Sequence, residues 1–438
     1  MYFTDFSHLD SRYATRPLLW KIDKLRMRTS IHKNIAKIAK KHAFTYIPAK
    51  KVNSRLTEVD NSNVPVFIRS LKSRYARWYG KIDMPVNAIP ENIFIAEKVS
   101  FNNCHKQTID LIHSLNVSTV VTVNGRFVSD SAILVASKDL NIEYIVLERK
   151  VPYKWDRMSE FRISTQSITE NRQQLEECWV NLGEEDRNSA INLAERHLQI
   201  RTGEDWHWRN KQKKSASLNL PKNFICFFTT TEIESATVGL DVDPPNNLSQ
   251  HQVFLALTKY CSEKNVDLVV RVHPHPKEPN LASLEDQIWN ELNENRSAII
   301  IKSLDETDSL QIAKASLMNV VYRSSMGAEL VYLELPVVMT GPTAFSHLAE
   351  GLEASSIEEL LTKIDQQSKP GPRESVYPWA YYNEKAGYEM ENVKIHSASL
   401  INVDGNEYGY TSKFGKAINF LLRRKRIKPH GIRPRVFR

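Results

Sequence analysis

Two short segments, about fifty residues apart, carry residue types suited to holding an anion. The first, Arg271-Val272-His273-Pro274-His275-Pro276, offers a guanidinium and two imidazoles. The second, Arg323-Ser324-Ser325-Met326-Gly327-Ala328-Glu329, offers two hydroxyls. Each follows an apolar run that reads as a buried parallel strand, residues 266–272 before the first and 317–322 before the second. Each segment therefore falls just past a strand's carboxyl end, where open α/β sheets bind their ligands. A helix over 326–333 would add backbone N–H groups. The chemistry these groups suit is binding a phosphate carried on a nucleotide. Simpler roles stand beside that one: a histidine before proline can merely cap, and Ser324-Ser325 can serve as a helix N-cap pair, which is compatible with phosphate binding.

The elements that position these segments follow from the hydrophobic pattern. The sequence predicts strand 223–228, helix 249–264, strand 266–272, helix 284–293, strand 297–301, helix 309–315, strand 317–322, helix 326–333 and strand 336–340, a doubly wound unit. Before it, strands over 92–96, 118–124 and 143–148 alternate with helices over 106–115 and 130–140, a second parallel pattern. Long polar helices occupy 165–201, and the basic stretch 211–217 reads as a linker. The expected division is 1–215, 216–370 and 371–438. The last part holds an aromatic-rich helix around 379–388, expected to cross back to the first domain, and an amphipathic helix from about 413 into a basic tail. Two such domains facing a central cleft suit group transfer, because closure excludes the water that would hydrolyse an activated donor.

Composition narrows the class. The 438 residues are 41% hydrophobic and 25% charged, ordinary globular material long enough for two domains. The net charge of +8 concentrates at Lys33, Lys37, Lys40 and Lys41 and in the Arg423-Arg424-Lys425-Arg426 run. Such clusters attach proteins to anionic membranes or to nucleic acid, or are simply solvated. Four cysteines show neither metal spacing nor a disulfide-dense pattern, and no signal peptide or spanning segment is apparent, so a cytoplasmic setting is expected. There is no Gly-x-Gly-x-x-Gly, no phosphate-loop signature and no His-Glu-x-x-His. Asp241-Val242-Asp243, followed by two prolines, reads as a turn. Trp206-His207-Trp208 reads as packing, and no metal site is expected.

Several motifs in fixed order carry a family resemblance: Thr229-Thr230-Thr231-Glu232-Ile233-Glu234, Arg271-x-His273-Pro274, Asp308-Ser309, Ser324-Ser325-Met326-Gly327-Ala328-Glu329, Leu335-Pro336 and Gly341-Pro342-Thr343-Ala344-Phe345. Together they resemble the carboxyl-terminal domain of bacterial capsule and surface-polysaccharide glycosyltransferases with the GT-B fold. A weaker likeness covers Asn124-Gly125-Arg126-Phe127 and Glu148. The resemblance implies two Rossmann-like domains facing a cleft, with the donor in the second. It implies that His273 contacts the donor phosphate with Arg271 or His275 in support, and that Ser324 and Ser325 bind phosphate. Glu329 would bind ribose hydroxyls or orient the loop, and Thr230, Thr231 and Glu232 would face the cleft. Arg126 or Glu148 would face the acceptor.

These readings lead to a metal-independent glycosyltransferase acting on a bacterial surface glycan. A nucleotide sugar of CMP or UDP type would be co-substrate rather than cofactor. The acceptor would be an oligosaccharide or lipid-linked glycan, and Glu148 or Glu232 would be the base. Attachment to the cytoplasmic face of the inner membrane through the basic tail is expected, and nucleic acid is not. One alternative is a CDP-activated polyol-phosphate transferase. Another is a non-catalytic nucleic-acid-binding protein, favoured only by the basic pI near 9.1.

Overall fold

A computed structural model describes residues 2–5, 33–41, 45–48, 59–79, 89–148, 157–162, 167–203, 220–231, 248–274, 279–349, 351–390, 393–397 and 400–409. The expected linker 211–217, the segments 206–208 and 241–243 and the basic tail lie outside them. The chain forms two compact units. One runs continuously over Phe161–Ala386, and the other gathers chain from before and after it.

The continuous unit is built on six strands in the order Glu353–Ala354, Val337–Thr340, Met318–Tyr322, Phe224–Phe228, Asp267–Arg271, Ile299–Ile301. Every neighbouring pair is parallel. Counted along the chain this is the 3-2-1-4-5-6 order of a doubly wound sheet, whose direction of winding reverses between Phe224–Phe228 and Met318–Tyr322. All five residues of each of those two strands are buried, as expected where helices cover both faces. Side-chain alternation divides the central strand between two cores. Phe224, Cys226 and Phe228 face a cluster that holds Leu175, Leu198, Leu330 and Trp379. Ile225 and Phe227 face another that holds Phe254, Trp289 and Leu360. Each such large side chain contributes roughly 1.5–3 kcal/mol on burial.

Local chemistry sets the helix starts. Ser249 and Gln252 form a reciprocal capping box for helix Gln250–Lys264, and the Asp308 side chain accepts from the Leu310 N–H to open Ser309–Ala315. The polar helices Ile168–Val180 and Glu184–Thr202, expected in the first domain, supply Leu175, Ala194 and Leu198 to a core of this unit. The boundary expected near residue 215 therefore falls at about residue 160. The aromatic helix is Tyr377–Lys385. It packs on those same two helices, with Trp179 and Tyr381 rings 5.8 Å apart and Tyr382 Oη donating to Gln174 Oε1 at 2.9 Å. Its partners are those the sequence reading had assigned to the first domain, and the structure assigns them to this one. Helix Ile357–Asp365, which the sequence reading did not predict, has Leu360 and Ile364 buried on the sheet.

The other unit contains a four-stranded sheet in the order Tyr388–Glu389, Arg157–Phe161, Glu143–Glu148, Thr119–Val123, whose last two strands are parallel. Helices Val64–Tyr79, Glu91–Leu115 and Val128–Asp139 bury Phe67, Leu71, Phe101, Cys104 and Ala132 together. The strand expected over 92–96 is instead the first turns of Glu91–Leu115. A run such as Ile93-Phe94-Ile95-Ala96 fits either period, and the buried positions Glu97, Ser100, Phe101, Cys104, Thr108 and Ile112 show that the helical one prevails. A three-stranded antiparallel sheet, Val393–Ser397, Leu400–Val403 and Asn406–Gly409, also belongs here.

Among the described residues no helix is long and apolar enough to cross a membrane. Nor do three or more His, Cys, Asp or Glu side chains gather there as a metal would need.

Candidate functional site

The candidate site lies where the winding of the six-stranded sheet reverses. The strands Asp267–Arg271, Phe224–Phe228 and Met318–Tyr322 are adjacent, so the loops leaving their carboxyl ends share one edge. The first two loops are joined by hydrogen bonds. The Thr229 N–H donates to the Arg271 carbonyl at 3.2 Å, and the His273 N–H donates to Thr229 Oγ1 at 3.1 Å. From the next loop, Ser303 Oγ donates to the His273 carbonyl at 2.6 Å. The backbone of His273 is thus fixed on both sides while its imidazole is half-buried at the edge. Thr230 is fixed differently. Its N–H donates to Gln250 Oε1 at 3.2 Å, and Gln250 Nε2 donates back to its carbonyl at 3.3 Å. Thr231 Oγ1 is buried with no hydrogen-bond partner among the described residues. Glu232 and His275 lie outside them.

The third loop opens on Arg323, a non-glycine residue at φ +45° whose N–H donates to the Thr340 carbonyl at 3.2 Å. Its guanidinium sits 5.6 Å from the Tyr322 ring centroid. The facing turn uses Gly341 at φ +69°, where a Cβ would also meet the Tyr322 ring at 2.8 Å. The Ser324 hydroxyl accepts from the Met326 N–H at 3.3 Å, whereas Ser325, at the N-cap position itself, makes no capping hydrogen bond with its side chain, so the serines do not cap this helix as the expected pair. The helix Met326–Tyr332 has only seven residues, so what the loop offers an anion is mainly its hydroxyls.

Arg271 does work other than the expected support of the phosphate, and Glu329 takes the loop-orienting one of its two expected roles. Arg271 is 1% exposed, its guanidinium enclosed by the loop 302–309 that leaves the neighbouring strand. It donates to the carbonyls of Lys302, Asp305 and Thr307 at 2.5, 3.1 and 3.4 Å, and to Ser309 Oγ at 3.3 Å. A guanidinium with five donors suits a strap across a loop rich in carbonyls, and that fixes the path after the third strand. Burial lowers its pKa from the ordinary arginine value, a tendency that the nearby Asp305 opposes. Glu329, expected to reach ribose or orient the loop, is 7% exposed and accepts from Arg201 Nη2 at 2.6 Å and Nε at 3.0 Å. The same Nη2 donates to Ser325 Oγ at 2.7 Å, so Glu329 serves the loop.

In the other unit Asn124 and Glu148 meet at the carboxyl ends of paired strands, and Arg126 follows in the turn after the first. Asn124 Nδ2 donates to the Glu148 carboxylate at 2.5 Å, and the Asn124 N–H donates to the Leu147 carbonyl at 2.9 Å. Asn124 and Gly125 both adopt positive φ, 66° and 76°, and a Cβ on Gly125 would meet Leu134 at 2.8 Å. That turn places the Arg126 guanidinium 5.2 Å from the Phe127 ring.

Sequence reasoning missed Arg201, Gln250 and Arg323 as site residues. Arg323 could have been found as the first residue past a buried strand. Gln250 is a polar residue buried immediately after a helix cap. Nothing near Arg201 in sequence marks it, because its partners are more than a hundred residues away.

No family model matches the chain, and no curated protein matches it by sequence. Among solved structures it is similar to KpsC of Thermosulfurimonas dismutans, a beta Kdo 2,7 transferase, at 11% identity over 73% of this chain and 90% of that one, with a TM-score of 0.40. It is also similar to two UDP-GlcNAc 2-epimerases. That of Methanocaldococcus jannaschii shows 10% identity over 70% of this chain and 94% of that one, with a TM-score of 0.29. That of Neisseria meningitidis shows 12% identity over 97% and 98%, also with a TM-score of 0.29.

Proposed function

We propose that the chain is a nucleotide-sugar enzyme, and within that class a glycosyltransferase that adds a sugar to a bacterial surface glycan. What carries the reading is the placing of His273, Thr229–Thr231 and Arg323–Ser325 on three adjacent loops at the reversal point of a doubly wound sheet. Ligands of open α/β sheets bind at that point. An imidazole, a guanidinium and several hydroxyls there suit phosphate oxygens. Arg323 replaces Arg271 as the cation, since Arg271 is committed to the 302–309 loop.

In the transfer step the bond from the sugar's anomeric carbon to the nucleotide phosphate breaks, and negative charge gathers on the departing phosphate. In this reading His273, Arg323 and the Ser324 and Ser325 hydroxyls stabilise that charge as it develops. The acceptor oxygen forms the new bond to the anomeric carbon, and its proton passes to a carboxylate, for which Glu148 is the described candidate. The side-chain amide of Asn124 holds one of its oxygens and so orients it. The acceptor, as a lipid-linked glycan at the membrane surface, and the role of the basic tail there, belong to the same proposal.

The test is a titration of the whole protein with CMP, CDP, UDP, GDP and dTDP, read by calorimetry and thermal shift. One of these nucleotides should bind, and His273→Ala and Ser324→Ala should each weaken it by on the order of tenfold, as expected for a hydrogen bond to a charged group. Binding unaffected by both substitutions, or none at all, would overturn the reading.

A further inference from the structure

We infer that Arg201 is a positioning residue that makes the Ser324–Ser325 loop able to accept a nucleotide's phosphates, by neutralising Glu329 and polarising the Ser325 hydroxyl. The inference rests on the nucleotide reading above. Glu329 is an awkward neighbour for an anion. Its carboxylate is nearly buried and shares one guanidinium nitrogen with Ser325 Oγ, so it stands within two hydrogen-bond lengths of the hydroxyl offered to phosphate. At such separations, in a partly dehydrated site, like charges repel strongly. An unpaired Glu329 would oppose the phosphates the loop is there to bind.

Arg201 removes that opposition and adds to the attraction. Its Nε and Nη2 both donate to Glu329 Oε1, cancelling the charge locally. Its bond to Ser325 Oγ occupies an oxygen lone pair, which turns the hydroxyl hydrogen elsewhere and makes it a stronger donor. The guanidinium is held for this task. It lies in the last turn of helix Glu184–Thr202, 5.5 Å from the Trp379 ring centroid. Trp379 is itself packed against Phe345 at 5.1 Å and His197 at 5.8 Å. A helix remote in sequence thereby governs the charge of the site.

Calorimetric titration of the full chain with CDP, UDP and inorganic pyrophosphate tests this in wild type, Arg201→Gln, Glu329→Gln and the double variant. Pyrophosphate reports the phosphate arm alone, free of any contact to ribose or base. Arg201→Gln should weaken diphosphate binding by about tenfold or more, because it exposes the phosphates to an uncompensated carboxylate. Adding Glu329→Gln should restore most of that loss, although it removes a second member of the same network. Glu329→Gln alone should tighten pyrophosphate binding severalfold, since Arg201 is then an unopposed cation. A residue that only braces the helix predicts the reverse, with the double variant no better than the single one.

The inference is overturned if Arg201→Gln binds like wild type, or if the double variant is as weak as Arg201→Gln. Should Arg201→Gln fail to fold, Glu329→Gln decides, and unchanged or weaker pyrophosphate binding overturns the inference. A wild-type protein that binds none of the three probes, nor CMP, GDP or dTDP, removes the nucleotide reading itself. Wild-type binding that is insensitive to Arg201 removes only the inference.

Discussion

At the scale of single residues, the two arginines of the motif segments divide the work that sequence would give to one. Arg271 sits at the end of a strand with its guanidinium entirely inside, satisfied by three carbonyls and a hydroxyl. Arg271→Met should destabilise the protein by roughly 2–5 kcal/mol in urea unfolding, because those acceptors lose their donor in a buried setting. Nucleotide affinity in the protein that remains folded should change little. The opposite pattern, lost affinity without lost stability, would return Arg271 to the phosphate site.

His347 makes a second prediction at this scale. Burial lowers its pKa below the ordinary imidazole value of 6.5, and the neighbouring Arg172 adds to the effect. The unfolded chain therefore takes up this proton before the folded one does. Stability linked to His347 is intact above pH 6.5 and declines as the pH falls from there toward the folded-state pKa. Unfolding titrations at pH 7.5 and 5.5 should show the decline, and His347→Gln should reduce it. A decline of the same size in the variant would place its origin elsewhere.

At the scale of elements, the helix Tyr377–Lys385 and the turn at Gly341 both support side chains at the carboxyl edge of the sheet. Trp379 is 6% exposed, lies against Phe345 and His197 and supports the Arg201 guanidinium. Trp379→Ala should cost about 3–5 kcal/mol, the range for large-to-small changes in a core. It should also weaken nucleotide binding through Arg201, which a melt followed by titration would separate. Gly341→Ala meets two obstacles, a left-handed backbone and the Tyr322 ring at 2.8 Å. The backbone alone costs about 1–2 kcal/mol. A melting temperature equal to wild type would show that the turn adapts.

At the scale of the whole molecule, both large cores of the sheet are made within Phe161–Ala386. This segment contains every described residue of the proposed nucleotide site. Expressed alone, 161–386 should unfold in one cooperative transition and bind the same nucleotide as the full chain, checked by circular dichroism and calorimetry. A segment truncated at residue 216, where the sequence reading set the boundary, lacks Leu175, Ala194, Leu198 and Arg201 and should be insoluble or molten. If 216–386 proves as stable as 161–386, the two polar helices are not part of that core.

The hydrophobic pattern by itself determined the doubly wound sheet, because continuous apolar runs such as 224–228 and 318–322 suit strands covered on both faces. It also determined which segments emerge at the carboxyl edge, since alternation of strand and helix leaves no other place for them. Thr230, His273 and Ser324 were legible for that reason. The direction of each side chain was not. Arg271 and His273 are two residues apart and both polar, yet one is enclosed by the 302–309 loop and the other held at the edge. Only the packed loop, whose carbonyls draw the guanidinium inward, decides between them. The unit boundary and Arg201 were illegible for a related reason. Helix Glu184–Thr202 reads as polar along the sequence because it buries only Ala190, Ala194 and Leu198. Its membership in the core, and the meeting of Arg201 with Ser325 and Glu329 across more than a hundred residues, exist only once the chain has folded.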